Sequence, residues 1–191
     1  IKKYGFPKTI KINKPESNTL EFSVSMRDNQ KPIVEAYMNN ISVETGGGGI
    51  ICAGCGVGKT VISLYISTLL KVKTLVIVHK EFLMNQWKER IEEFIPDAKI
   101  GRIQSNIIKT DNCDIVLGML QSISQKEYCD SVFNDFGFVI YDECHHLGAE
   151  VFSKALPKLT SPYMLGLSAT PDRKDGLSKV FEYYLGDMVY C

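Results

Sequence analysis

The chain has 191 residues, 45% of them apolar, enough for one α/β domain with a sizeable core and a short N-terminal appendage. Its 22 Lys plus Arg balance 22 Asp plus Glu, so there is no global basic field, and any nucleic-acid contact has to come from a local patch or a further domain. No apolar run is long enough to span a membrane and no signal peptide precedes Ile1, which makes an intracellular protein of nucleus or cytoplasm the default.

Residues 1–21 are rich in Lys, Pro and Asn, with weak alternation at residues 9–12, and read as a lone strand or arm ahead of a domain over residues 22–191. Residues 25–38 predict a helix capped by Ser25 or Asp28, with Pro32 in its first turn and Ile33, Ala36 and Tyr37 on its apolar face. Gln30 lies just ahead of the glycine-rich region. Its amide can donate and accept together, as an adenine edge requires, and the plain alternative is an ordinary surface residue. Residues 46–49 are all glycine and read as a flexible lead-in to the first core strand.

Residues 50–60 run Ile-Ile-Cys-Ala-Gly-Cys-Gly-Val-Gly-Lys-Thr. Apolar periodicity resumes at Val61, Leu64, Tyr65, Thr68 and Leu69, the spacing of a buried helix face. Strand, loop, helix is the context that a phosphate-binding loop needs. Gly54, Gly56 and Gly58 lack Cβ atoms and let backbone N–H groups close on an anion, aided by the positive end of the following helix. Lys59 would reach the β- and γ-phosphates of ATP, and the Thr60 hydroxyl would ligate Mg²⁺. The generic pattern wants Gly at position 53, where this chain has Ala53, and the alternative is a structural strand-to-helix turn. Cys52 and Cys55 form a C-x-x-C, but a metal there would compete with the nucleotide, and reduced thiols are the expectation.

Thr74–Val78 is a continuous apolar run of the kind found in a strand covered on both faces, closed by His79 and Lys80. Glu81–Phe94 predicts a helix with Phe82, Leu83, Trp87, Ile91 and Phe94 on one side, ended by Pro96. Residues 99–103 and 114–117 are further strand candidates, separated by a polar, turn-rich stretch at 105–112. Residues 138–146, Phe-Val-Ile-Tyr-Asp-Glu-Cys-His-His, carry an apolar strand into two acids. Asp142 at the strand tip would hold Mg²⁺ through water, and Glu143 would polarise the water that attacks the γ-phosphate. His145 and His146 diverge as neighbours do, which speaks against one zinc site. Residues 163–171 form another core strand ending in Ser168, Ala169 and Thr170, whose hydroxyls could bond the acids near Glu143. A charged loop with Arg173 and Lys174 precedes a last helix at 177–185. Alternating strands and helices with short links imply an α/β fold with a doubly wound, mainly parallel sheet and helices on both faces. All three anchors then lie at strand C-terminal ends and can converge on one site.

This set resembles the first RecA-like domain of a superfamily 2 helicase. Residues 53–60, Ala53, Gly54, Cys55, Gly56, Val57, Gly58, Lys59 and Thr60, match that family's A-x-x-G-x-G-K-T form, which accounts for Ala53. Residues 142–145 are similar to its D-E-x-H box, and residues 168–170 to its third motif, which with His145 implies coupling roles for Ser168, Thr170 and His145. Arg27 and Gln30 lie where the adenine-reading element would be. Residues 75–87 resemble the motif Ia region of XPB-like helicases and their large-DNA-virus relatives. The resemblance implies ATP and Mg²⁺ as cofactors, nucleic acid as partner (leaning to DNA and to transcription or repair) and a virion as one possible location. Candidate phosphate contacts are His79, Lys80, Gln121, Ser122 and Arg173, with Lys174 beside it; a solvated charged loop is the alternative for the last two. Met119 stands where relatives carry Thr in a Thr-x-Gln-Ser-like contact. A second RecA-like domain is absent from this chain and would supply arginine fingers and half of the track. The implied function is the N-terminal half of an ATP-dependent helicase or translocase. Alternatives are the duplex translocase subunit of a restriction or remodelling complex, or a non-catalytic ATP-gated scaffold.

Overall fold

The computed structural model describes residues 17–54, 56–143, 151, 154–159, 161–170 and 178–191. Helix α1 (Lys31–Asn39) leads to strand β1 (Gly47–Cys52), which feeds helix α2 (Lys59–Leu70) and strand β2 (Thr74–Val78). Helix α3 (Glu81–Phe94), strands β3 (Ile100–Gln104), β4 (Ile107–Lys109) and β5 (Ile115–Met119), and helix α4 (Leu120–Gln125) follow. Strands β6 (Phe138–Tyr141) and β7 (Tyr163–Ser168), helix α5 (Ser178–Leu185) and strand β8 (Met188–Tyr190) complete the described elements.

The described strands form one eight-stranded sheet in the order β4-β3-β5-β2-β6-β7-β1-β8. Every pairing is parallel except β3 with β4. Alternate residues of each strand go to opposite faces. Ile51, Val76, Leu117, Ile140 and Leu165 pack under α1, α2 and α3. Ile50, Leu75, Val116, Val139 and Met164 pack with Ile123, Phe136 and Leu185 on the other face. The doubly wound sheet expected from the apolar runs is therefore present, with helices on both sides. Between β1 and β2 the chain passes over β6 and β7, so the C-terminal ends of β1, β7 and β6 sit side by side, where open α/β sheets bind ligands. No helix among the described residues is long and apolar enough to cross a membrane.

Several local expectations are corrected. Helix α1 begins at Lys31, not residue 25, because Pro32 has no N–H and is tolerated only in a first turn. Ser25 and Asp28 cap nothing; Gln30 is the N-cap residue, without a side-chain cap bond. The glycine run is no lead-in, since Gly47–Cys52 is strand. A Cβ on Gly48 would lie 2.3 Å from the Leu185 carbonyl oxygen, and one on Gly49 would lie 2.6 Å from Val189. Residues 105–112 are not all turn, because β4 pairs with β3 as a short exposed edge after a turn at Ser105, φ 54°. Strand β8 was not anticipated; it pairs with β1.

The buried face of α2 is also shifted. Ile62, Leu64, Ile66 and the small Ser63 and Ser67 go inside, while Leu69 is exposed. The two serines bury their hydroxyls by donating to the Lys59 and Leu64 carbonyls. In α3, Met84, Trp87 and Ile91 are buried and Phe82 faces solvent. Residues 1–16 lie outside the described residues. Beyond them Asn18 bonds Lys71 and Val72, and Phe22 stacks on Phe94 at 5.5 Å between ring centroids.

Candidate functional site

The first anchor leaves β1 at Cys52, which is in register with Ser168 of β7. Ala53 N–H continues the pairing by donating to the Ser168 carbonyl at 3.0 Å. The backbone then turns through Gly56, φ 89°, and Gly58, φ 92°, left-handed conformations that cost glycine little. Gly58 is the N-cap of α2, so Lys59 and Thr60 form the helix's first turn. A Cβ built on Gly54 or Gly56 would meet no heavy atom within 4 Å, so the bare glycines border open space at the helix's positive end. That is the cradle a phosphate chain needs.

Lys59 Nζ donates to the Ala53 carbonyl at 2.8 Å, reaching back across its own loop. It also lies 4.0 Å from Glu143 Oε1. Strand β6 brings Glu143 there: its last residue is Tyr141, and Asp142 N–H donates to the Ile77 carbonyl at 3.0 Å. Glu143 takes φ 51°, a left-handed value that is strained for a side-chain-bearing residue and of the kind held at functional sites. Asp142 is 7% exposed, and its Oδ2 accepts a 2.7 Å hydrogen bond from the Trp87 indole. Burial pushes its carboxyl above the ordinary range. The Trp87 bond pulls it back, Glu143 raises it, and Lys59 lowers it. Thr60 and Asp142 offer hard oxygens of the type Mg²⁺ selects, so the donor set fits that ion.

Gln30 is not a surface residue. It is 1% exposed, its Nε2 donates to the Val57 carbonyl at 2.9 Å, and its Oε1 accepts from Arg27 N–H at 3.1 Å. The amide is paired in both senses, as at an adenine edge, but with the protein's own backbone. The Ser168 hydroxyl donates to the Thr170 carbonyl at 2.6 Å and accepts from Thr170 N–H at 3.2 Å, closing a turn at the end of β7. Cys55, His145 and Arg173 lie outside the described residues, as do Cys144, His146 and Lys174.

On the far side of β6, the ends of β2 and β5 bring His79 and Gln121 together. Gln121 Nε2 donates to the His79 carbonyl at 2.8 Å, and Ser122 Oγ accepts from Ser105 N–H at 2.9 Å. These two predicted phosphate contacts therefore tie neighbouring loops. Lys80 is exposed, with Nζ 5.8 Å from the centre of the Phe82 ring.

Residues 23–173 match the family described as type III restriction enzyme, res subunit. The chain belongs to that family. It is the first RecA-like domain of a superfamily 2 helicase. Over 196 residues it is 36% identical to L396 of Acanthamoeba polyphaga mimivirus, whose name assigns it as an ATP-dependent RNA helicase; the match covers 99% of this chain and 37% of that protein. It is 32% identical to the DNA 3'-5' translocase XPB2 of Sulfurisphaera tokodaii, over 100% of this chain and 42% of the relative. The chain thus spans about two fifths of these curated relatives. The fold matches the Sulfolobus solfataricus SWI2/SNF2 ATPase core in complex with dsDNA, with TM-score 0.70 and 21% identity over 92% of this chain and 38% of that one. It also matches the UvsW helicase of bacteriophage T4, with TM-score 0.69 and 21% identity over 94% of this chain and 65% of that one.

Within this restriction-enzyme-type domain, sequence reasoning placed Trp87 only in the core and missed its bond to Asp142. The signal was present, since a buried indole N–H needs a partner.

Proposed function

We propose that this chain is the ATP-binding half of a DNA-dependent motor that hydrolyses ATP. The observation that carries the reading is the meeting of Lys59 and Glu143, 4.0 Å apart, beside a glycine loop at the ends of β1 and β6, with β7 between them. Lys59 swings from the Ala53 carbonyl to the β- and γ-phosphates, which offer it stronger, charged acceptors. Thr60 and Asp142 would hold Mg²⁺, which would offset charge on the phosphates. Glu143 accepts a proton from the attacking water as that water adds to the γ-phosphorus and the bond to the bridging oxygen breaks. Arg27 and Gln30 border the adenine end, with Gln30 holding the loop by Val57. Ser168, Thr170 and His145 relay the phosphate state. His79, Lys80, Gln121, Ser122 and Arg173 line the track, with Lys80 touching phosphate, which positions without reading sequence.

A second RecA-like domain completes the site, since the relatives are more than twice as long as the match. DNA is the proposed track because the XPB2 relative is named a DNA translocase. Transcription or repair is the proposed setting. The viral relatives favour a viral source, with nucleus, cytoplasm or virion as its place.

The test is the ATPase rate of the full-length protein alone and with single-stranded DNA, duplex DNA or RNA, with Lys59→Ala as control. Stimulation by DNA that the variant abolishes is the expected result. Stimulation by RNA alone changes the track, and hydrolysis indifferent to every polymer sinks the motor reading.

A further inference from the structure

We infer that Trp87 is a positioning residue that sets which oxygen of Asp142 faces the metal. This rests on the reading of Asp142 as the Mg²⁺-holding acid. Trp87 is 1% exposed in the middle of α3 and Asp142 follows β6, so helix and strand end meet through one hydrogen bond of 2.7 Å. A buried indole N–H can be satisfied by any carbonyl; here it is spent on the site's own carboxylate. Because that bond is charge-assisted, it is both short and directional. It claims Oδ2 and leaves Oδ1 for the metal or its water. The Asp142 backbone is fixed separately by the Ile77 carbonyl at 3.0 Å. The carboxylate, which also accepts from the Glu143 backbone N–H, is therefore held in place by the main chain and in rotation by the indole. Donors of this kind behind a metal ligand are worth about 10- to 100-fold in metal affinity. If the indole were only a satisfied core group, losing its N–H would cost stability and leave metal affinity alone.

Trp87 is the single tryptophan of these 191 residues, and its emission reports on this contact. Binding of a fluorescently labelled, non-hydrolysable ATP analogue would be measured in EDTA and across a Mg²⁺ titration, for the full-length protein and for its Trp87→Phe variant. Trp87→Phe keeps most of the ring and removes the donor. The expected result is nucleotide binding in EDTA within about twofold of the parent, with the Mg²⁺ half-saturation point raised roughly 10- to 100-fold. A folded variant whose half-saturation point stays unchanged overturns the role of Trp87 alone.

If Trp87→Phe does not fold, the parent's own emission decides. With nucleotide bound, Mg²⁺ should change it, and Mn²⁺ should quench it further because the paramagnetic ion sits one carboxylate away. Identical emission in EDTA, Mg²⁺ and Mn²⁺ overturns the inference. Failure of the full-length protein to bind nucleotide under any condition overturns the phosphate-site reading, and this inference with it.

Discussion

Gln30 Nε2 donates to the Val57 carbonyl at 2.9 Å, so the residue that caps α1 holds the crown of the phosphate loop. Gln30→Ala removes this bond and the one from Arg27 N–H, two part-buried backbone pairings. A loss of about 1–3 kcal/mol is expected in a urea melt, with weaker binding of labelled nucleotide as the loop loosens. Gln30→Glu should be worse, because a carboxylate would face the Val57 carbonyl.

Gly58 shares that contact. A Cβ there would lie 2.6 Å from Gln30 Nε2, and φ is 92°. Gly58→Ala should cost on the order of 1–3 kcal/mol and abolish nucleotide binding. In a Gln30→Ala background the steric part disappears and only the dihedral strain remains. A double-mutant cycle read by denaturant unfolding should therefore be non-additive, with Gly58→Ala milder in the double variant. Additivity would mean that the two side chains do not meet.

Glu143→Gln keeps shape and removes the base. Nucleotide should still bind, while ATP turnover in the full-length protein falls about 10²- to 10⁴-fold. Unchanged turnover would remove Glu143 from the chemistry.

Asp142 gives a stability prediction of the opposite sign from most carboxylates. Burial is the main force raising its carboxyl above the ordinary 3.8. The folded state then binds more protons than the unfolded state in the window just above 3.8, so stability falls as pH rises through that window. Asp142→Asn, whose amide oxygen can still accept from Trp87, should raise the Tm at pH 7, by roughly 2–4 °C for each kcal/mol recovered. The gain should vanish once the pH drops below the ordinary carboxylate range, and metal-dependent nucleotide binding should be lost throughout. A lower Tm at pH 7 would show that the charged pair with Trp87 outweighs the desolvation.

Lys80 and Gln121 should separate by salt. Lys80 is exposed, and Lys80→Ala should reduce the slope of log affinity against log salt by about 1. Gln121 is tied to the His79 carbonyl, so Gln121→Ala should weaken DNA binding through loop geometry and leave the slope as it was. Filter binding of the full-length protein at several salt concentrations checks both.

The meeting of Lys59 with the acids Asp142 and Glu143 was legible because these residues follow apolar runs, and parallel strands deliver such ends to one edge. What escaped was set by tertiary contact. Gln30 looks like a surface residue until the loop returns 27 residues later to meet it. The phase of α2 was misread because α1, α3 and the sheet all cover it, and Ser63 and Ser67 enter the core once their own helix satisfies them. Phe82 broke the apolar pattern of α3 from the other direction, being large and exposed. Strand β4 spans Ile107–Lys109, is exposed and sits on an edge, too short to show a period.

Strand β1 enters the sheet without side chains, and the Leu185 carbonyl and Val189 occupy the space that they would fill. The Asp187 carbonyl also takes the Ile50 N–H. Trimming the chain ahead of Met188 would therefore strip the strand that feeds the phosphate loop and turn it into an open edge, a template for another molecule's backbone. Loss of β8 would then surface as self-association along the strand that leads into the glycine loop.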